Sequence, residues 1–245
     1  MNKDSTRLGR QRYSRGYWLR IAYTAARFGG FTAVLAAVSH VGLADTQQKQ
    51  AKQAQTSADR SGWKSLLGKD LEGWTMTDFY RPGKVSRQGD VLVFDEGTPL
   101  TGITTERKDF PTENFEIELQ ARRVTGNDFL CGLTFPVGKG FCTFIAGGWG
   151  GGLVGLSSVD GADASENQTT GFHEFENGKW YQFKISVDDQ LVRGWIDEKE
   201  VFSQEREGRK FSTRIEVFAC QPLGLCAFQS KVEIKNFRWR PLPAQ

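Results

Sequence analysis

Along residues 114–124 the chain reads Asn-Phe-Glu-Ile-Glu-Leu-Gln-Ala-Arg-Arg-Val, so Phe115, Ile117, Leu119 and Ala121 alternate with Glu116, Glu118, Gln120 and Arg122. Side chains of an extended chain point to opposite faces in turn, and this alternation predicts a strand with one face in a core. Similar runs occupy 128–136 and 141–147, separated by the hairpin signal Val137-Gly138-Lys139-Gly140. Further runs follow at 153–161, 179–188, 190–205, 214–219, 222–228 and 231–242, with Asp188-Asp189 as the turn between the second and third of these. Nothing after residue 62 keeps a 3.6-residue period. Many short strands without crossover helices predict an all-β antiparallel sandwich, because a parallel sheet needs those crossovers.

The pattern before residue 62 is different. Residues 1–27 are basic, Phe28 to Leu43 are mostly small and apolar, and Gly42-Leu43-Ala44 has the small-x-small spacing that a signal peptidase accepts. This predicts an export signal over 1–44, with an uncleaved N-terminal anchor as the alternative. The apolar run falls short of the ~20 residues of a membrane-spanning helix, so no stable span is expected after cleavage. Residues 45–61, rich in Gln, Lys, Ala, Thr and Ser, read as a polar linker. The folded domain is then 62–245.

Composition changes this picture in three ways. With 245 residues, 38% of them hydrophobic and 12% aromatic, the chain has ample material for a core. The net charge of +3 is carried by Arg7, Arg10, Arg12, Arg15, Arg20 and Arg27, so the domain itself is slightly acidic and lacks the basic stripe that nucleic acid demands. Four cysteines, Cys131, Cys142, Cys220 and Cys226, come without a Cys-x-x-Cys spacing and with one histidine after the expected signal, His173, which argues against zinc. Cys131 and Cys142 flank one turn, a placement that allows either a cross-strand pair or two buried thiols.

Two stretches are candidates for chemistry. In Ala146-Gly-Gly-Trp-Gly-Gly-Gly-Leu153 the glycines lead into another β run and include no lysine, so they are not a phosphate cradle. They predict a wide bend with Trp149 tucked over its edge, or room for a ring-shaped ligand with Trp149 as its apolar platform. The loop 158–170 gathers Asp160, Asp163, Glu166 and Asn167. Such oxygens suit a solvated turn, sugar hydroxyls or a calcium ion, although the spacing is not that of an EF-hand. Asn167-Gln168-Thr169 also matches a glycosylation sequon. Glu116 with Glu118, and Arg214 with Glu216 on a predicted strand, each lie two apart on one face; the first pair reads as solvent-facing and the second as an ion pair. His173 reads as a loop residue, and Trp63, Trp74, Trp180, Trp195 and Trp239 as core.

Three phrases carry a family resemblance. Ser65-Leu-Leu-Gly-Lys-Asp-Leu-Glu-Gly-Trp-Thr75, the run 177–202 beginning Asn-Gly-Lys-Trp, and Pro222-Leu-Gly-Leu with its continuation to Leu242 resemble, in order, the 3-keto-disaccharide hydrolase domain family. The resemblance implies a concanavalin A-like jelly roll with ligand on its concave sheet, and cleavage of oxidised disaccharides in the cell envelope. Family members usually carry Glu and Gln where this chain has Thr143 and Ile145, Gln and His where it has Cys226 and Phe228, and Glu where it has Gln120. Arg122 matches. The expectation is an exported carbohydrate-active domain, or a non-catalytic lectin-like module of the same fold. In the enzymatic reading Asp160, Asp163 and Glu166 supply acid, base or metal ligands, while Trp149, Arg122, Gln120, Asn167, Arg214 and Glu216 hold the sugar.

Overall fold

The computed structural model describes residues 62–243 apart from 69, 106 and 108; the expected export signal and linker lie outside the described residues. Two antiparallel sheets face each other. The first has the order β13 (Lys199–Glu205), β12 (Leu191–Ile196), β11 (Tyr181–Val187), β6 (Phe115–Gly126), β15 (Ser230–Pro241), β4 (Val91–Phe94) and β3 (Val85–Gln88), with β1 (Lys64–Ser65) also paired to β15. The second has the order β10 (Gly171–Phe172), β9 (Leu153–Ser157), β8 (Gly140–Gly147), β7 (Cys131–Val137), β14 (Leu223–Phe228), β5 (Leu100–Thr105) and β2 (Thr75–Met76). The predicted antiparallel sandwich is present. Among the described residues no helix is long and apolar enough to cross a membrane.

The alternation in β6 sends Phe115, Ile117, Leu119 and Ala121 into the space between the sheets, where they are fully buried. Phe183 of β11 meets Phe144 of β8 across that space with ring centroids 6.1 Å apart. Burial of such side chains contributes roughly 1.5–3 kcal/mol each, and this layer is the main source of stability. The Asp188-Asp189 turn is also where the sequence placed it. The Asp188 carboxylate accepts hydrogen bonds from the Gln190 and Leu191 amides at 2.9 and 2.7 Å and from Arg193 at 2.7 Å. Burial alone would raise its pKa, but these donors together hold it below the usual carboxylate value. A depressed folded pKa stabilises above the unfolded value near pH ~4 and is lost as pH falls through the lower folded one. Asp188→Asn should therefore flatten the fall in thermal midpoint below pH ~4, measured by calorimetry against the parent protein.

The outer face of the first sheet differs from expectation. Glu116 and Glu118 are only 7% and 8% exposed, because Arg240 and Arg238 of β15 bind them at 2.6 and 2.7 Å. They are committed ion pairs rather than solvent-facing acids. Trp63, Trp180 and Trp195 lie half-buried on this same face instead of in the core, which takes only Trp74 and Trp239 of the five. Each indole packs between cations: Trp63 with Arg238 and Arg240 at 4.9 and 4.7 Å, Trp180 with Arg122 and Lys235 at 4.8 and 4.1 Å. Cation–π attraction of ~1 kcal/mol per contact makes an outer-face position a good one for these rings.

Two further elements depart from the sequence pattern. The run 190–205 is a hairpin of two strands, folded at Asp197 and Glu198, whose φ values of 47° and 68° make the left-handed turn that joins adjacent strands. The run 214–219 is not a strand. Ile215–Cys220 forms a 3₁₀ turn laid over the outer face of the second sheet, with only Val217 and Cys220 buried. That face carries a small apolar cluster of Phe79, Leu100, Phe129, Ile145, Val217, Cys220 and Cys226, separate from the main core.

Candidate functional site

The Gly-Trp stretch is a tight turn between the neighbouring strands β8 and β9. Gly147, Gly150 and Gly151 have φ of 84°, 88° and 113°, and Trp149 itself sits at φ 50°, ψ 51°. Only glycine enters such backbone without strain, which explains the glycines on either side of the indole. The turn is pinned by Asp128, whose carboxylate accepts the Gly150 amide at 3.1 Å and the Phe129 amide at 2.8 Å. Trp149 is consequently held out, 47% exposed, and not tucked over the strand edge.

Beside it lies a pocket of ≈ 270 Å³ on the outer face of the second sheet. Leu100, Phe129, Ile145, Val217 and Phe228 make its apolar lining, the buried Ser157 and half-buried Asp128 add polar groups, and the exposed Trp149, Arg214 and Glu216 stand at its mouth. The Arg214 guanidinium stands 5.9 Å from the indole centroid and grips Glu216 through two bonds of 3.1 and 2.7 Å. Its other arm binds Asp163, which also accepts from the Ser157 hydroxyl. The hydrogen bonds from Arg214 hold the Glu216 carboxyl below its usual range, and the same bonds to Glu216 first, with the charge of Asp163, raise Arg214. At neutral pH the mouth is an ionised Arg–Glu pair next to an aromatic face. It can stack a ring, donate from Arg214 and accept at Glu216.

The sequence profile of the 3-keto-alpha-glucoside-1,2-lyase-like domain matches residues 62–240. The chain belongs to this family. A search of the curated proteins returns no match. Among solved structures, the lyase-like domain is similar to a candidate glycosyl hydrolase from Parabacteroides distasonis, with 18% identity, 76% of this chain and 97% of that one covered, and a TM-score of 0.47. It is also similar to the carbohydrate-binding module CBM66 from Bacillus subtilis (13% identity, 72% and 98% covered, TM-score 0.45) and to domain 4 of AbnA, an extracellular arabinanase from Geobacillus stearothermophilus crystallised with arabinotriose (14%, 70% and 84%, TM-score 0.43).

Apart from Gln120, the positions where this chain departs from the family phrases fall on the outer face of the second sheet, at or beneath the pocket. Ile145, Cys226 and Phe228 all belong to the cluster under the pocket, and Thr143 is buried beside them, hydrogen-bonded to Thr134 at 2.9 Å. These residues share one face because β8, β7 and β14 are neighbours.

The predicted site residues separate into three places. Trp149, Arg214 and Glu216 meet at the pocket, with Asp163 directly behind Arg214. Gln120 and Arg122 stand on the other sheet, where Gln120 accepts from Asn236 at 3.1 Å and Arg122 binds Glu233 at 2.7 Å. The acidic loop does not converge. Asp160 pairs outward with Arg209 at 2.9 Å and accepts the Lys210 amide at 2.8 Å, and Glu166 is exposed. Among the described residues no three His, Cys, Asp or Glu side chains stand together as metal ligands, and Asp160 and Asp163 of the loop are each paired with an arginine. Asn167 is the knot of its own loop: its amide nitrogen donates to the carbonyls of Leu156, Ala162 and Asp163 at 2.8, 3.1 and 2.7 Å. The nitrogen that a glycan or a sugar hydroxyl would need is already used. His173 packs against Phe175 and Tyr181 at 4.6 and 5.5 Å, away from the lining of the pocket, and burial lowers its pKa.

Two functional positions escaped the sequence reading. Asp128 pins the Trp149 turn, and Arg123 sits beneath that turn, within 3.3 Å of where a Cβ on Gly151 would be. Asp128→Ala frees two amides and should weaken ligand binding several-fold through loss of indole placement, while Asp128→Asn, which retains one acceptor oxygen, should restore part of it. Titration calorimetry with the best-binding ligand of each variant checks this.

Proposed function

We propose that this domain is a carbohydrate-binding module on a lyase-family fold, seating a glycoside in the pocket beside Trp149. The observation that carries the reading is the meeting of an exposed indole with the Arg214–Glu216 pair at the mouth of one pocket. An indole covers sugar C–H groups at little entropic cost, and the ion pair supplies the donors and acceptors that hydroxyls need. The carboxylates at the pocket are already engaged: Asp128 by two amides, Asp163 by Ser157 and Arg214, Glu216 by Arg214. The site is thus built to hold and orient, with no unpaired base facing a ligand. An exported location, read from residues 1–44, suits such a ligand.

Membership of the family favours a second reading, in which the domain cleaves glycosidic bonds of oxidised disaccharides. Glu216 would then exchange its partner Arg214 for substrate and work as acid or base, and Asp163 would hold Arg214 in reserve. Asp160 and Glu166 would have to act from outside the pocket. The experiment presents disaccharides and their 3-keto derivatives to the purified protein, following released monosaccharide and the thermal midpoint together. Ligand-dependent stabilisation without release supports the binding module. Release that falls on Glu216→Gln or Asp163→Asn establishes the enzyme and overturns it.

A further inference from the structure

Four thiols are buried in the described domain, and the binding reading uses none of them. Cys131 and Cys142 face the inter-sheet core, where burial pushes each up to about 12. They are out of register for a bridge. Cys131 lies opposite Ala146 and Cys142 opposite Phe135, four residues apart along the hairpin and so roughly 13 Å, well beyond the ~7 Å between Cα atoms that a disulfide tolerates.

Cys220 and Cys226 are arranged differently. Cys220 ends the 3₁₀ turn that walls the pocket, Cys226 lies in β14 directly under that turn, and both belong to the same small apolar cluster. The sheet beneath has been cleared to receive them. A Cβ on Gly224 would stand 2.8 Å from the Cys220 Cβ and 2.6 Å from its carbonyl oxygen, and a Cβ on Gly132 would stand 2.8 Å from the Cys226 sulfur. The Cys226 Sγ donates to the Gly132 carbonyl at 3.6 Å, and its pKa is pushed well above the usual value by the Cys220 thiol first and by burial second. The wall they border is otherwise lightly held. Ile215 and Phe218, one 3₁₀ turn apart on a single face, are 88% and 62% exposed, and Val217 is the only other buried residue of the turn.

We infer that Cys220 and Cys226 form a disulfide site that staples the pocket wall to β14. The co-reactant is a small or protein disulfide of the kind present where exported chains fold. One thiolate of the pair attacks a sulfur of that donor, giving a mixed disulfide and releasing the first donor thiolate. The second cysteine thiolate then attacks the cysteine sulfur of the mixed disulfide, forming the Cys220–Cys226 bond and releasing the second donor thiolate. Two electrons pass to the donor, and the two protons lost by the cysteines go to solvent or to the released thiolates. Burial in the folded domain shields both thiols, so the bond forms while the segment is still open.

The test uses the full chain, reduced and denatured, then refolded in a mixture of reduced and oxidised glutathione, alkylated under denaturing conditions and mapped by peptide mass spectrometry. The expected result is one linkage, a peptide pair joined through Cys220 and Cys226 and lighter by two hydrogens, with Cys131 and Cys142 fully alkylated. The seven-residue loop closed by the bond should raise the thermal midpoint by about 5 °C over the reduced protein, a gain that Cys226→Ala abolishes. Alkylation of all four cysteines, or a linkage through Cys131 or Cys142, overturns the inference. Because the map is read on the unaltered chain, the outcome does not depend on a variant folding, and it is independent of whether the pocket binds a sugar.

Discussion

Arg123→Met is expected to lower the unfolding free energy by about 2–3 kcal/mol, a large stability loss for a change outside the apolar core. Arg123 is 6% exposed and lies on the inward side of β6, in step with Phe115, Ile117, Leu119 and Ala121. Its guanidinium donates to the Asn177 side-chain oxygen at 2.6 Å and to the carbonyls of Asp128 and Phe175 at 2.9 Å each. Burial lowers its pKa, and the nearby charge of Asp128 works against that shift. Methionine fills much of the stem's volume but leaves the Phe175 carbonyl without a donor, at a cost of roughly 1–3 kcal/mol where water does not reach, while of the other two acceptors the Asp128 carbonyl keeps the Ser230 hydroxyl at 3.2 Å and the exposed Asn177 oxygen turns to solvent. Two of those acceptors belong to the segments that position the Trp149 turn and the loop before β11. Lysine should rescue only part of the loss, since one ammonium on a flexible stem cannot reproduce a planar fork aimed at three oxygens. Urea denaturation with an unchanged slope reads the difference directly, and a loss below about 1 kcal/mol would mean that these hydrogen bonds are replaced by solvent.

Arg123 also shows where the sequence stopped being informative. The alternation through 115–121 identifies the buried face of β6, and continuing it two residues places Arg123 inward, yet a charge at an inward position reads as the end of the strand. What keeps it there is a set of carbonyls 5 and 52 residues away, which no local pattern reveals. The same limit explains the tryptophans. Trp74 and Trp239 in the core, and Trp63, Trp180 and Trp195 on the outer face, have similar local surroundings; the difference is set by which strands lie alongside and whether those strands carry arginine or lysine. Likewise Ile215–Cys220 has the composition of a short strand, and it becomes a 3₁₀ turn because the face under it offers glycines and an apolar cluster instead of an open strand edge.

Strand order is therefore what the sequence withheld about the site. Trp149, Arg214 and Glu216 were recognisable as residue types suited to sugars, and the fold carries them to one pocket from segments 65 residues apart in the chain. Gln120 and Arg122 were equally suitable by type, and the register of β6 between β11 and β15 puts them on the other sheet. The apolar floor was half legible: Ile145, Cys226 and Phe228 are visible departures from the family phrases, but only the adjacency of β8, β7 and β14 shows that the departures fall on one surface.

That surface makes Trp149→Ala the decisive functional change. The indole is the large apolar face at the pocket mouth, it is 47% exposed, and its backbone is already held by Asp128 and the flanking glycines. Removing the ring should cost less than about 1 kcal/mol of stability, because a half-exposed side chain on a turn gives up little buried area. Affinity should fall far more, by about 10- to 100-fold or ~1.4–2.8 kcal/mol, since the ring supplies the stacking area while Arg214 and Glu216 supply mainly orientation. Trp149→Phe, which keeps a smaller aromatic face, should fall between the two. The comparison is made by calorimetric titration with whichever glycoside of the panel stabilises the parent protein, alongside the thermal midpoint of each variant. Affinity unchanged within twofold in Trp149→Ala would move the ligand off this pocket, and the indole-lined outer face of the first sheet, where Trp63 and Trp195 flank Glu118 and Lys184, would be the surface to examine next.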